Sequence, residues 1–349
     1  MSEIVKLSPR FVQIKGKDTV MLKVKGLKSE KAVNIDTLLV LSVLIFMSWF
    51  YYGWRVVIVT LISVASAYIS DIICVKLCGK KYEKDDLSAV VGGVLMALMM
   101  PASVPYHIVI LANIFAITLG KQFFGGKEHN IFNPVIVGYL LSAICWKDLV
   151  LKYPKPEEML PLTSAVENPL SVSLTQTLTY APTPSNTIVD IVLGKFYGPM
   201  GTTHIFLILI CACILSFRHS TSGLTFFCGT VTIAVLAYLY PAFGITRAES
   251  VFYELSSGTV LFSLLFFAGD YYTVPKTIST RIVYGVLIGV VTVLFQRLGN
   301  TENAILYAIL ISNPIAISLD DNAFSFRKLW DEIVEDMKAS KTKTVEKKK

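Results

Sequence analysis

The sequence predicts an all-α integral membrane fold, and three observations carry that prediction. Of 349 residues, 54% are hydrophobic and only 16% are charged. With a mean hydropathy of +0.60, the chain is more apolar than a soluble core requires. Ten apolar runs, long enough to cross or half cross a bilayer of about 30 Å, begin near Ile35, Trp54, Leu87, Val104, Ile131, His204, Gly223, Gly258, Ile282 and Asn303. Lys and Arg also collect in alternate loops, as the positive-inside rule requires of a multi-pass chain.

The elements follow in order. Residues 1–34 form a basic leader: the first thirty-five residues hold eight Lys or Arg but no hydrophobic core of a signal peptide and no small-residue cleavage site. Residues 35–320 form the membrane domain. Its third run, "VVGGVLMALMMP", and its eighth, "LFSLLFFAGD", are shorter than a standard span of roughly 20 residues. They read as half-length or broken helices. Backbone ends inside a membrane only where protein or a lined cavity satisfies its amides and carbonyls, so such helices mark sites. Residues 321–349 place Leu329, Trp330, Ile333, Val334 and Met337 near one face of an amphipathic helix ahead of a basic tail. That helix would lie on the cytosolic interface or dock a soluble partner.

Orientation follows from charge. With the leader in the cytosol, "GKKYEK", "GKQFFGGKEHN", "RHST", "YYTVPKTISTR" and the tail all fall on the cytosolic side. The long connection 148–203 then lies outside. Both termini are cytosolic, in the inner (cytoplasmic) membrane. The net charge of +7 is concentrated in leader and tail, where it suits anionic lipid rather than nucleic acid, which is excluded as a partner.

A repeat runs through the domain. Gly126, Glu128 and Asn130 precede one small-residue-rich helix, and Gly299, Glu302 and Asn303 precede another. Five spans per copy would make the copies run in opposite directions, as in inverted-repeat transporters. Chance similarity of two Gly- and Asn-containing loops is the alternative.

Several constellations are candidate sites. In "GGKEHNIFNP", Gly126, His129, Asn130 and Asn133 stand at a helix entrance where free amides could receive the phosphate or ring carbonyls of a flavin. Helix capping by Asn130 or Asn133, with Pro134 in the first turn, explains the same residues. Asp270 ends a short apolar helix, where a carboxylate is costly enough to suggest an ion path; an interfacial, hydrated carboxylate is the competing reading. The six cysteines sit in apolar surroundings without neighbouring His, as small buried hydrophobes do, so no metal is assigned.

Six stretches in order resemble one family over nearly the whole chain: "LSPRFVQIKGKDTVMLKV", "GGVLMALMMP", "FFGGKEHNIFNPVIVGYLLS", "VDIVLGKFYGPMGTTH", "FFAGDYYTVPKTIST" and "AILISNPIAISLDD". They are similar to RnfD, a membrane component of the Rnf electron-transport complex, and to its relative NqrB from the sodium-translocating NADH:quinone reductase. The resemblance implies a ten-span inverted repeat and a membrane subunit carrying flavin within a multi-subunit translocase. It further implies electron transfer coupled to Na⁺ or H⁺ movement.

In that family an external loop carries Ser/Thr-Gly-Ala-Thr-Pro-Leu, whose Thr is esterified to FMN. Here "SAVENPLS" keeps Pro169 and Leu170 but has Glu167 and Asn168 ahead of them. Asn168 offers no acceptor hydroxyl, so covalent FMN is not expected there. Thr183 in "APTPS" and Thr259 in "SSGT" are poor substitutes, the first a Pro-flanked turn residue and the second at a helix start. Any flavin, FMN or riboflavin, is therefore expected to be non-covalent. A scaffold or ion-path subunit without its own flavin, and a stand-alone transporter or channel, are the other readings.

Overall fold

The computed structural model describes residues 29–79, 86–126, 130–163, 170–174, 188–241, 245–256, 259–299 and 301–320. Most of the basic leader, His129, Asn168, Thr183 and the segment 321–349 lie outside the described residues. Among the described residues the chain is helical, with one isolated antiparallel bridge between Tyr153 and Ser171.

Eleven helices organise the membrane region. They are α1 (Glu30–Tyr52), α2 (Trp54–Leu77), α3 (Ser88–Met99) and α4 (Tyr106–Phe115), followed by α5 (Pro134–Cys145), α6 (Ile205–Phe217) and α7 (Gly223–Leu239). Then come α8 (Arg247–Ser256), α9 (Thr259–Ser263), α10 (Ile278–Gly299) and α11 (Ala304–Asp320). Two of them run on as π-helix: α4 through Ala116–Gln122 and α9 through Leu264–Ala268. Three helices, α1, α2 and α10, are each long and apolar enough to cross a membrane. A fourth span is formed if α8 and α9 with its π turn, bent by 54°, count together.

Local chemistry explains the boundaries. Gly53 ends α1 and begins α2 at φ 75°, a left-handed conformation that a side chain would strain. Around that turn Trp49 and Trp54 meet edge to face at 5.5 Å, and Phe46, Phe50 and Trp54 are exposed. Aromatic rings at a helix end suit the bilayer interface. Asn133 caps α5 by accepting Val135 N at 3.0 Å, with Pro134 in the first turn.

The short helix α3 shows how backbone ends inside the protein. Its last carbonyls are met from a distant segment: Gly201 N donates to Leu98 O at 2.9 Å and Met200 N to Met100 O at 3.2 Å. A Cβ on Gly201 would come within 2.5 Å of Leu98 Cβ, so only glycine brings that backbone close enough. The stretch around residues 198–203 thus completes the end of a half-length helix, as burial demands.

Packing follows small residues. Gly285 and Gly289 of α10 face Gly229 and Thr232 of α7, and Cβ atoms at Gly285 and Gly289 would meet Cys228 Cβ at 2.9 Å and Thr232 Cβ at 2.7 Å. This small-xxx-small spacing lets two helices approach without a wedge between them. Leu41, Leu44, Met96, Leu98, Phe262, Phe267 and Tyr284 fill the interior, while Leu39, Leu61, Phe206, Phe227 and Leu294 point outward. An outward apolar face is the expected lipid-facing surface.

Arg55 is fully buried near the start of α2. Its Nε donates to Ala102 O at 2.7 Å, Nη1 to Pro161 O at 2.9 Å and to Thr163 O, and Nη2 to Val104 O at 2.9 Å and Ser103 O at 3.3 Å. One guanidinium therefore ties the turn after α3 to the start of the external loop that carries "SAVENPLS".

Candidate functional site

Both π-helical segments open onto one crevice. Its walls come from α1 (Asn34, Thr37), α3 (Ser88, Val91, Leu95), the α4 continuation (Ala116, Ile117, Lys121), the α5 entrance (Asn130, Asn133) and the α9 continuation (Leu265, Phe266) with Gly269 to Tyr272. The crevice encloses about 890 Å³ counting its open mouth, a size at which small-molecule and cofactor sites occur. π-turns inside helices concentrate at functional sites because they free a carbonyl and shift the side-chain register.

Polar groups converge at one end of it. Asn133 Nδ2 reaches Asp270 Oδ2 at 3.5 Å, a long contact that leaves the amide available to a ligand. With its amide oriented to donate, Asn130 Nδ2 reaches Lys121 O at 3.3 Å and Gly126 O at 3.1 Å. Gly126 takes φ 110°, a glycine conformation, and open space surrounds it. Asn34 Nδ2 donates to Tyr272 Oη at 3.3 Å, which brings α1 to the same rim. The turn that holds Asp270 is fixed by Thr221 Oγ1 donating to Leu265 O and Gly269 O, each at 3.0 Å, and by Ser222 N donating to Gly269 O at 3.3 Å.

A buried charge cluster stands beside the crevice. Lys121 Nζ donates to Asp71 Oδ2 at 2.9 Å, Ser88 Oγ at 2.9 Å and Asp86 Oδ2 at 3.3 Å. Gln122 Nε2 donates to Asp71 Oδ1 at 2.8 Å. The side chains of Lys121 and Asp71 are 6% and 1% exposed, so the ammonium and carboxylates answer one another inside the protein rather than in water.

The candidate residues read from sequence therefore meet in part. Gly126, Asn130, Asn133 and Asp270 are brought to the same place, although 137 residues separate Asn133 from Asp270. His129 and Thr183 lie outside the described residues. Thr259 is buried at the start of α9. Residues the sequence reading passed over are Lys121, Asp71, Asn34 and Tyr272. A signal for two of them was present: a Lys inside "AITLGKQFF" and an Asp inside "YISDIICV" are charges within apolar runs, which are functional or paired by default.

The residues fit a flavin. The walls are apolar and aromatic, with Phe266 and two tyrosines; carboxamide donors and a carboxylate acceptor gather at one end, matching ring carbonyls and a ring N–H. Half-length and bent helices around a polar crevice define a membrane subunit that handles a cofactor or ion within the bilayer. The chain belongs to the NQR2, RnfD, RnfE family, which residues 23–324 match. It is 27% identical to a subunit of the Na(+)-translocating ferredoxin:NAD(+) oxidoreductase complex of Acetobacterium woodii, over 74% of this chain and 78% of that protein. It is 25% identical to a subunit of the ion-translocating oxidoreductase complex of Actinobacillus succinogenes, over 78% of this chain and 86% of that protein. The subunit of the same name in Haemophilus influenzae is also 25% identical, again covering 78% and 86%.

Proposed function

We propose that this chain is the membrane subunit of an Rnf-like ion-translocating oxidoreductase complex, that its crevice holds a flavin without a covalent bond, and that Asp270 lies on the path of the coupled cation. Family membership supports the complex and its activity; the named relatives are subunits of ion-translocating oxidoreductases. The observation that carries the site is the meeting of Asn130, Asn133 and Asp270 at one end of an apolar crevice between two π-helical segments. A bound flavin would supply one- and two-electron transfer there. Asn130 and Asn133 would hold the ring edge, Phe266 and Tyr271 would shield its faces from water, and Asp270 would accept a hydrogen bond or neutralise a passing cation. Lys121 contributes positive potential at the rim while remaining bound to Asp71 and Asp86.

The same reading extends to topology. Ten membrane segments in two inverted copies of five, both termini cytosolic, are supported by the equivalent places of α3 and α8–α9 as interrupted third members of each half. The π turns of α4 and α9 meeting at one crevice support it too. Partner subunits of the complex and anionic lipid at the basic ends complete the assignment.

Asn168 favours a second reading, a scaffold and ion-path subunit that has given up its own flavin, because the residue has no hydroxyl to esterify. One experiment separates the two. Purified complex is denatured, and flavin is measured in the released fraction and on the polypeptide. The expected result is an unmodified intact mass together with flavin released in proportion to this subunit and lowered by Asn133→Leu. A mass increase of one FMN on this chain overturns the non-covalent assignment, and release that Asn133→Leu leaves unchanged gives the scaffold reading.

A further inference from the structure

A second polar site lies away from the crevice. Glu302 and Asn303 form the turn ahead of α11, and Tyr139 of α5 and Tyr153 of the external connection close over them. Tyr153 Oη donates to Glu302 Oε1 at 2.8 Å. The other carboxylate oxygen, Glu302 Oε2, is buried without a hydrogen-bond partner, and so are Asn303 Oδ1 and Tyr139 Oη. Glu302 is 8% exposed, Asn303 4% and Tyr139 0%. No Lys or Arg nitrogen among the described residues forms an ion pair with Glu302.

Asn303 is the informative residue. It occupies the N-cap position of α11, where its backbone carbonyl accepts Leu306 N at 3.0 Å and Tyr307 N at 3.3 Å. An Asn there ordinarily turns its side-chain oxygen onto the first helical amides, as Asn133 does on Val135 N at 3.0 Å. Asn303 Oδ1 makes no such bond. It is held away from the helix, in the same polar pocket as the carboxylate and Tyr139. The amide end of α11 meanwhile favours the ionised form of Glu302.

We infer that Glu302, Asn303, Tyr139 and Tyr153 form a binding site for a single dehydrated Na⁺ ion. Three unpartnered oxygens, a fourth from Tyr153 and one carboxylate make a hard-oxygen set with one negative charge. That charge balances a monovalent cation, whereas the common divalent ions draw on more carboxylates or retained water. A buried carboxylate without a counter-charge is expensive, so some positive partner belongs in the pocket. The position suits a path: α5 carries Asn133 at the crevice and Tyr139 at this site, about 9 Å apart along the helix axis at 1.5 Å per residue. The site itself does not depend on a flavin occupying the crevice.

The test uses the intact complex, thermally unfolded in NaCl or in choline chloride at equal ionic strength. Saturating Na⁺ is expected to raise the melting temperature of this subunit by about 5 °C. Glu302→Gln abolishes the rise and Asp270→Asn keeps it. Tyr139→Phe, which removes one oxygen and preserves the ring, moves half-saturation to about ten-fold higher Na⁺ and carries the test if Glu302→Gln does not assemble. Equal stability in the two salts overturns the inference, since the pocket then holds a proton and water. A Na⁺ response that survives Glu302→Gln, is untouched by Tyr139→Phe, or is lost in Asp270→Asn alone overturns it as well.

Discussion

Replacing Arg55 by Met removes a charge and keeps most of the stem. The guanidinium makes five hydrogen bonds to carbonyl oxygens of residues 102–104, 161 and 163 and stacks 5.0 Å above the Tyr106 ring. Hydrogen bonds to a charged group contribute about 1.5–3 kcal/mol each but are not additive around one side chain. Counting two of the five at the lower value gives about 3 kcal/mol. Stranding further buried carbonyls adds, and relief from burying a charge subtracts, so the expected net loss is about 4 kcal/mol, at the severe end for a single substitution.

At about 2 °C per kcal/mol for a chain of this size, that loss lowers the melting temperature by roughly 8 °C. The connection after residue 160 should also become open to protease from the external side, because Pro161 and Thr163 lose their tether. Thermal unfolding of the purified complex and limited proteolysis of sealed vesicles read these two effects. High salt should rescue neither, since buried pairs are weakly screened. A melting temperature within about 2 °C of wild type, with the connection still protected, would refute the view that Arg55 anchors the external loop.

The remaining predictions concern charge inside the membrane and the path of the chain through it. Lys121→Met strands Asp71 and Asp86 and should cost about 3–5 kcal/mol, read as a melting temperature lower by several degrees; Asp71→Asn in the same chain should recover part of it. Asp270→Asn keeps shape and most hydrogen bonding, so the complex should assemble and transfer electrons while moving fewer ions per electron in reconstituted vesicles; unchanged pumping makes Asp270 an interfacial carboxylate. Single cysteines at Ser185 and Ser340 in a cysteine-free chain should label from outside and inside respectively, and labelling of both from one side contradicts an even number of spans.

The helices were largely legible because lipid and buried helix faces impose apolar runs, and their ends are written in Gly53, Asn133 and Pro101. Runs read as starting near Trp54, Leu87 and Gly223 begin as helices at Trp54, Ser88 and Gly223. The third run is the short helix α3, and the eighth is the 54° bend between α8 and α9. The site was legible at Asn133 and Asp270, where a polar residue ends an apolar run. It was not legible at Lys121, whose meaning depends on Asp71, 50 residues earlier in another helix. Nor was it at Glu302, which reads as a repeat residue until Tyr153, 149 residues away, is placed upon it. The π turns leave no sequence mark at all, since one extra residue per turn is decided by what the helix packs against.

The buried charges of the described residues divide into two kinds, and the division bears on function. Asp71 and Asp86 are held by Lys121, Asp36 by Arg218 at 2.6 Å and Glu254 by Arg297 at 3.4 Å. Asp36 also accepts from Ser220 at 2.6 Å, so the pair that joins α1 to the end of α6 is satisfied on both oxygens. Such acids fasten helices, and their cations never leave. Asp270 and Glu302 have no Lys or Arg within ion-pair distance among the described residues, yet both are set in surroundings where bare charge is costly. A fixed cation beside either would hold it permanently neutralised and useless to a travelling ion. The absence of one is what lets the positive charge be exchangeable, and placing the two acids near opposite ends of α5 gives that charge two stations.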